Sequence, residues 1–473
     1  MWIPDLSNRP GRTYQALCDA IAEAIAQGVF APGDRLPPQR ELAYALNMSV
    51  GTVGRAYARA RKQGLIGGEV GRGTYVRDPA ATAQEFALSP TPDTEHDASR
   101  IDLRRNVPAP VGQEEALRQA LAMASGQDLR DYLGYSPTGG ALAHRLAGAQ
   151  WMARAGLSVP PERVLVTAGA TQAVATAFAA AIRRPGCDPV ILCEPLINVG
   201  FKDTAATLGI RLKGVEMDAA GICPDALARA CEGPERPAAA LIVPTFQNPT
   251  TALMPAERRA ALVAVARRYE LALIEDDLYA DLLPPAERPL PLAHSYPEAS
   301  FYVTSLSKSV TPGIRIGYLL CPDMPTGTLI RRCQGILNSF AMDVPLLMGG
   351  IATWLIESGE AARFAEKQAE EMAARQAMAA QRLAGHHFQH HRAALHFWLQ
   401  LPSQWRTHSF TQACLSQGVQ IGQADDFAVG QAQAPHCVRL ALGAPRSRTE
   451  LATVLDTVAS LLNEQPQGDI PGV

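Results

Sequence analysis

From residue 100 onward, apolar runs of strand length alternate with alanine-rich runs of helix length. The clearest strand-like runs are Arg163–Thr167, Pro189–Cys193, Ala239–Pro244, Leu271–Asp276 and Phe301–Ser305. Near-continuous apolar strands separated by helices imply a mostly parallel sheet covered by helices, an α/β fold. At 473 residues the chain exceeds one ordinary domain, so two folded units are expected. A hydrophobic content of 47% and a charged content of 19% are globular values and exclude a disordered polyelectrolyte. The nine cysteines form no C-x-x-C pair, which points to reduced thiols in a bacterial-type cytoplasm and away from a disulfide or zinc framework. The opening MWIPDLSNRPGR has no apolar core of a signal peptide. The most apolar later stretch is broken by Pro345, Gly349 and Gly350, so neither export nor membrane spanning is expected.

The net charge of −3 hides an asymmetry. Residues 1–78 carry ten Lys/Arg against seven Asp/Glu, or +3, leaving −6 on the remainder. Within 47–77, Arg55, Arg59, Arg61, Lys62, Arg72 and Arg77 face Glu69 alone. A basic patch on an acidic protein suggests a polyanion partner for that patch. Tyr14, Leu17, Cys18, Ile21 and Ile25 recur at helical spacing over Thr13–Gln27, with Gly28 as the stop. A turn follows at Pro32-Gly33-Asp34. Gln39–Leu46 reads as a short helix, Asn47-Met48-Ser49 as a tight turn, and Ser49 or Gly51 opens a second helix through Gln63. The run Gly64–Tyr75 then supplies two short strands around a glycine-rich tip bearing Arg72.

The segment from Arg35 to Val76 resembles the GntR-type winged helix-turn-helix, over roughly the first 78 residues. In that family the second helix of the motif enters the major groove and the wing reaches the neighbouring minor groove or backbone. Arg55, Arg59 and Lys62 share one helical face, as such docking needs. By matching position, the resemblance implies contacts to a double-stranded DNA operator from Arg40, Ser49, Gly51, Thr52, Arg55, Arg72 and Gly73. Where the family commonly has arginine after the serine of the turn, this chain has Val50. Taken alone, Arg59 and Arg61 read equally well as a solvated helix face.

Residues 79–99 are polar and proline-punctuated, without periodicity, and read as a flexible linker between a head at 1–78 and a large domain at 100–473.

The large domain carries its chemistry just after its strands, where ligands of open α/β sheets collect. In TSLSKSVTPGIRIGY, residues 304–318, Ser305, Ser307 and Arg315 supply donors and charge for a phosphate, and Lys308 offers an amine for an aldehyde. Alone, Lys308 reads better as a surface lysine among small residues. Three other stretches change that. TAGATQAV at 167–174 puts Gly169, Ala170 and Thr171 between a strand and a helix, where backbone N–H groups and the positive helix end suit a phosphate. FQNPTT at 246–251 offers the Asn248 amide as a donor to a phenolate oxygen, or simply an Asn-Pro turn. IEDDLYADL at 274–282 ends a strand with Asp276, able to pair with a pyridinium nitrogen, and Tyr279 follows three positions on.

In this order and spacing, residues 100–460 resemble the fold-type I pyridoxal 5'-phosphate (PLP) aminotransferases. The resemblance implies that Lys308 holds PLP as a Schiff base, Asp276 pairs with the ring nitrogen, and Asn248 and Tyr279 flank the phenolic oxygen. It gives the phosphate to Ala170, Thr171, Ser305, Ser307 and Arg315, and a substrate or effector carboxylate to Arg439 in HCVRLALG. Tyr135 in DYLGYSPTGG matches a tyrosine that reaches the partner subunit's phosphate, implying a homodimer. In CEPLINVGF the position that usually carries a ring-stacking aromatic is Ile197, which weakens stacking. His386, His387, His390 and His391 would align in pairs if helical, but no carboxylate or cysteine completes a metal shell, so no metal is expected.

A GntR-type head on an aminotransferase-like domain resembles the MocR family of bacterial transcriptional regulators across essentially the whole chain. The family implies that PLP or its adduct with an amino compound is the effector, that vitamin B6, GABA or taurine metabolism is commonly controlled, and that dimers are usually swapped head to tail. The alternative that these residues leave open is an active aminotransferase carrying a DNA-binding head. A third has the basic head bind a protein or RNA.

Overall fold

The computed structural model describes residues 2–6, 13–31, 33–63, 65–69, 73–76, 100–324, 327–341, 343–430 and 433–464. The expected linker at 79–99 and Arg72 at the wing tip lie outside them.

The head is built from α1 (Thr13–Ala26), α2 (Gln39–Ala45), α3 (Val50–Lys62) and an antiparallel ribbon of β1 (Ile66–Glu69) with β2 (Gly73–Val76). Helix α1 presents Leu17, Cys18, Ile21 and Ala24 to a core shared with Leu42, Val53, Ala56, Tyr57, Ile66 and Val76. Its predicted stop is where the chain turns, because Gly28 takes φ +74°, a conformation that costs glycine little. The Ser49 hydroxyl accepts from the Thr52 amide at 3.1 Å and caps α3. The buried Tyr57 hydroxyl donates to the Pro37 carbonyl at 2.7 Å and ties the motif to the turn before it.

A seven-stranded sheet organises the large domain. Its strands are β4 (Val164–Thr167), β5 (Asp188–Cys193), β6 (Arg211–Gly214), β9 (Pro237–Ile242), β10 (Ala272–Asp276), β11 (Ser300–Ser305) and β12 (Gly317–Leu320), in the order β4-β12-β11-β10-β9-β5-β6. Strands β11, β10, β9, β5 and β6 run parallel, and β12 is antiparallel to both neighbours. A small ribbon, β7 (Met217–Asp218) with β8 (Gly221–Ile222), sits between β6 and β9 in the chain. The β9 run stops at Ile242 instead of reaching Pro244: proline has no N–H for the ladder, and the Val243 amide donates to the Glu194 carboxylate at 3.0 Å. The alanine-rich helix Ala170–Ala181 packs against β9, β10, β11 and β12. Small side chains let it lie close to the sheet.

A second, antiparallel sheet is ordered β13-β14-β17-β16, formed by β13 (Phe388–Gln389), β14 (His396–Gln400), β16 (Gly422–Gln423) and β17 (Cys437–Ala441). The first strand of the large domain, β3 (Ile101–Asp102), pairs in parallel with β15 (Val419–Gln420). The histidine run does not form the helix that would align its rings. It makes a turn, strand β13 and a second turn, because Phe388 packs on Phe397 at 4.6 Å between ring centroids while His391 lies 4.5 Å from Phe246. Among the described residues no helix is long and apolar enough to cross a membrane.

Candidate functional site

Strands β10 and β11 end side by side, Asp276 opposite Val303 in register, and deliver the carboxylate and the lysine segment to one edge of the sheet. Lys308 is partly buried, and its amine donates to the Asn106 carbonyl at 2.6 Å. Loss of hydration, reinforced by the nearby Arg439 charge, pulls the amine down to about 8. A lysine near that value has a substantial neutral fraction at physiological pH, as a carbonyl-trapping nucleophile requires. Asp276 is only 4% exposed, and its Oδ1 has no partner among the described residues. Burial, with Asp277 beside it, raises this carboxyl to about 8. An unpartnered buried carboxylate oxygen is costly in isolation and suits a cationic ring N–H.

The opposite end of the site is a cradle. Gly169 takes φ +87° ahead of the helix that starts at Ala170 and Thr171, so the unpaired amides of the first helical turn face outward. A Cβ on Gly169 would lie 2.7 Å from the Arg315 guanidinium, and one on Gly317 would lie 3.0 Å from the Ala170 amide nitrogen. Arg315, itself at φ +51°, donates to the Ala168 carbonyl at 3.0 Å and keeps its remaining N–H groups exposed. Ser305 closes β11, and its hydroxyl accepts from the Ser307 amide at 3.2 Å. Helix amides, two hydroxyls and a guanidinium in this arrangement make an anion-binding concavity.

A second polar group, Asn248, Arg439 and Tyr279, links the loops of the first sheet to β17 of the second. Asn248, 3% exposed, accepts from Arg439 Nη1 at 2.8 Å, which leaves its amide N–H groups for another acceptor. Arg439, on β17, also donates to the Arg104 carbonyl and lies over the Phe427 ring at 4.8 Å, with its Nε unpartnered among the described residues. Burial lowers it to about 10, so it stays charged at neutral pH. Tyr279 accepts from the Asn106 side chain at 2.9 Å. Ile197 is fully buried, its amide donating to the Phe427 carbonyl at 2.9 Å. Lys308, Asp276, Tyr279, Asn248, Ala170, Thr171, Ser305, Ser307, Arg315 and Arg439 thus converge on one region. Tyr135 does not join them within the chain. Its side chain is 82% exposed.

Sequence reasoning passed over three groups that the fold brings here. Asn106 lies just inside the large domain. His396, in the apolar strand HFWLQ, reads as a core residue; it is fully buried and pushed down to about 3, hence neutral. Glu194 is fully buried after β5 and raised to about 7. A charged or imidazole side chain inside an otherwise apolar run is the one local signal that marks the last two.

On the head, Arg40, Ser49, Gly51, Arg55 and Arg59 are exposed, while Thr52 is half-buried and hydrogen-bonded through its hydroxyl to Ser49 at 2.8 Å. Arg55 lies 5.7 Å from the Tyr14 ring and Gly73 opens β2. Arg61 does not face outward with them; it donates to the Thr74 hydroxyl at 3.2 Å.

The aminotransferase class I and II pattern is matched over residues 100–458, more than half of the chain. The chain belongs to the aminotransferase class I and II family. Ahead of that region, residues 13–76 match the gntR family of bacterial regulatory proteins, which makes the fused architecture the MocR type. The chain is 27% identical over 472 residues, 98% of its length and 97% of the relative's, to the uncharacterized HTH-type transcriptional regulator YdeF of Bacillus subtilis. It is 28% identical to the HTH-type pyridoxine biosynthesis transcriptional regulator PdxR of Corynebacterium glutamicum, covering 68% of each chain. The aminotransferase fold is also that of an archaeal alanine:glyoxylate aminotransferase, with TM-score 0.69, 21% identity, and 77% of this chain matched to 90% of that one. LysN, an α-aminoadipate aminotransferase from Thermus thermophilus solved with N-(5'-phosphopyridoxyl)-L-leucine, superposes with TM-score 0.68 at 23% identity, over 77% of this chain and 92% of its own.

Proposed function

We propose that this MocR-type chain is a DNA-binding transcriptional regulator that senses PLP, or an amino compound bound to it, through the Lys308 site. The observation that carries the reading is the pairing of a lysine amine lowered to about 8 with a buried, unpartnered Asp276 carboxylate, in a chain whose head exposes a basic helix. PLP, when bound, supplies an aldehyde for the amine and a ring that withdraws electrons from it. Asp276 holds a proton at the ring nitrogen. Asn248 and Tyr279 place donors at the phenolic oxygen. The cradle of Ala170, Thr171, Ser305, Ser307 and Arg315 takes the phosphate. Arg439, oriented by Asn248 and the Arg104 carbonyl, takes an effector carboxylate.

At the other end of the chain Arg40, Ser49, Gly51, Thr52, Arg55, Arg72 and Gly73 meet an operator, the α3 residues in the major groove and the wing beside it. The 82% exposure of Tyr135 supports a homodimer in which that tyrosine completes the partner's phosphate site, with heads swapped between subunits and the protein resident in the bacterial cytoplasm. The name of the C. glutamicum relative supports a vitamin B6 compound as signal. A differential stabilisation of two states by a few kcal/mol is enough to change operator affinity by one to two orders of magnitude, roughly.

The test is an operator titration with and without PLP, in wild type and Lys308→Ala. A PLP-dependent shift in wild type that disappears in the variant is expected. Identical affinities in all four titrations would remove the reading.

A further inference from the structure

The segment that leads out of residues 79–99 enters the lysine site directly and is clamped at both ends. Leu103 donates to the Gln420 carbonyl at 2.7 Å and its own carbonyl accepts from Ala441 at 2.8 Å. Six positions on, the Ala109 amide donates to the Gln368 side chain at 3.0 Å, whose own amide group returns a bond to the Ala109 carbonyl. Between these clamps, Arg439 donates to the Arg104 carbonyl, Lys308 to the Asn106 carbonyl, and the Asn106 side chain reaches Tyr279 and His396.

The orientation of the Asn106 amide follows from its neighbours. His396 Nε2 lies 3.1 Å from the Gln247 carbonyl, which can only accept, so Nε2 carries the ring proton. The buried, neutral ring then has a lone pair on Nδ1, and Asn106 Nδ2 lies 3.3 Å from it as the donor. The second hydrogen of the same nitrogen goes to the Tyr279 oxygen at 2.9 Å. Tyr279 is therefore an acceptor toward Asn106, and among the described residues no group takes the hydroxyl's own proton. That proton is left to point into the site.

We propose that Asn106 is a positioning residue of this site: its side chain fixes Tyr279 as a hydrogen-bond donor to the phenolic oxygen of the cofactor, and its carbonyl holds the Lys308 amine until the cofactor takes it. This rests on the reading that PLP binds at Lys308. A lone pair on Tyr279 that is already occupied strengthens the hydroxyl as a donor, by cooperative polarisation. A stronger donor at a phenolate oxygen favours the form of the bound cofactor that has lost its imine proton, and so lowers the pH at which the absorbance changes.

The experiment uses the full chain loaded with PLP and follows the absorbance of the bound cofactor against pH. Asn106→Ala should raise the midpoint by about half a pH unit, the size of one neutral hydrogen bond. Asn106→Asp, close to isosteric, is read if the alanine variant fails to fold. Its carboxylate accepts the Tyr279 proton, and the midpoint should rise further. In a Tyr279→Phe background, Asn106→Ala should add no shift, whereas a general disturbance of packing would add one. Wild-type and Asn106 variant midpoints that coincide, or Ala shifts that are the same with and without the Tyr279 hydroxyl, overturn the role of Asn106 while leaving PLP binding intact. Absence of any Lys308-dependent absorbance in wild type overturns the binding reading itself.

Discussion

The Lys308 amine donates to the Asn106 main-chain carbonyl at 2.6 Å across 202 positions of sequence. One partner sits on the loop after β11 and the other on the segment that follows the linker region. Bonding of that amine to an aldehyde would release its hold on the Asn106 carbonyl, between the β3–β15 pairing and the Ala109–Gln368 clamp.

The Lys308 amine should capture PLP in a pH-dependent way. Only its neutral form adds to an aldehyde, and burial places its midpoint at about 8. The rate of PLP capture, followed by stopped-flow absorbance, should climb with pH up to about 8 and level off above it. Lys308→Ala should show no capture at any pH.

The Asp276 carboxyl makes stability depend on pH. In the cofactor-free fold it is raised to about 8, whereas in the unfolded chain it titrates near 4, roughly. A folded value above the unfolded one gives stability that is complete below the unfolded value and is lost as pH rises through about 8. The contribution is at most about 1.4 kcal/mol per pH unit across that window. Urea midpoints of cofactor-free protein should fall as pH rises through this range, and Asp276→Asn should flatten the slope. A wild-type midpoint that stays level speaks against an unpartnered Asp276.

Arg439 holds Asn248 and the Arg104 carbonyl through separate nitrogens. A lysine keeps the charge but not the planar fork, so Arg439→Lys should weaken binding of a carboxylate-bearing amine to the PLP-loaded protein by at least about tenfold. It should also cost about 1–3 kcal/mol in unfolding free energy through the lost bonds. Titration with amino acids and chemical denaturation read the two effects separately.

On the head, the α3 cap and the Arg55 charge are read by different measurements. Ser49→Ala removes the cap of α3 and should destabilise the head by about 1 kcal/mol. Arg55→Ala leaves the cap in place. If Arg55 meets a phosphate, log Kd against log salt concentration should lose about one unit of slope, with weakening that is uniform across operator sequences. A variant that loses discrimination between operators while keeping the salt slope would assign Arg55 to a base instead.

Much of this molecule is legible along the chain. Gly28, Ser49 and the spacing of Leu17, Ile21 and Ile25 write the head's first and third helices locally. Strands β5, β9, β10 and β11 announce themselves as continuous apolar runs because both faces of a parallel strand are covered. Strand β12 is harder to read, since Gly317 is glycine for the sake of its neighbours Thr167, Gly169 and Ala170 and not of its own strand. The histidine run misleads for a related reason. The His391 and His390 rings pack on Phe246 and Phe397, which lie far away or across a turn.

The sequence by itself determined the two kinds of unit, the basic helix-turn-helix head and the α/β domain, because periodicity and caps act over a few positions, and its resemblance to the fold-type I aminotransferases pointed to Lys308, Asp276 and Arg439. Only the tertiary structure decided that Asn106, His396 and Gln247 orient one another and Tyr279, that Arg439 is held by Asn248, and that Arg61 is turned to Thr74. Those relations join residues up to 290 positions apart, and a hydrogen bond between such partners exists only once the core has closed around them.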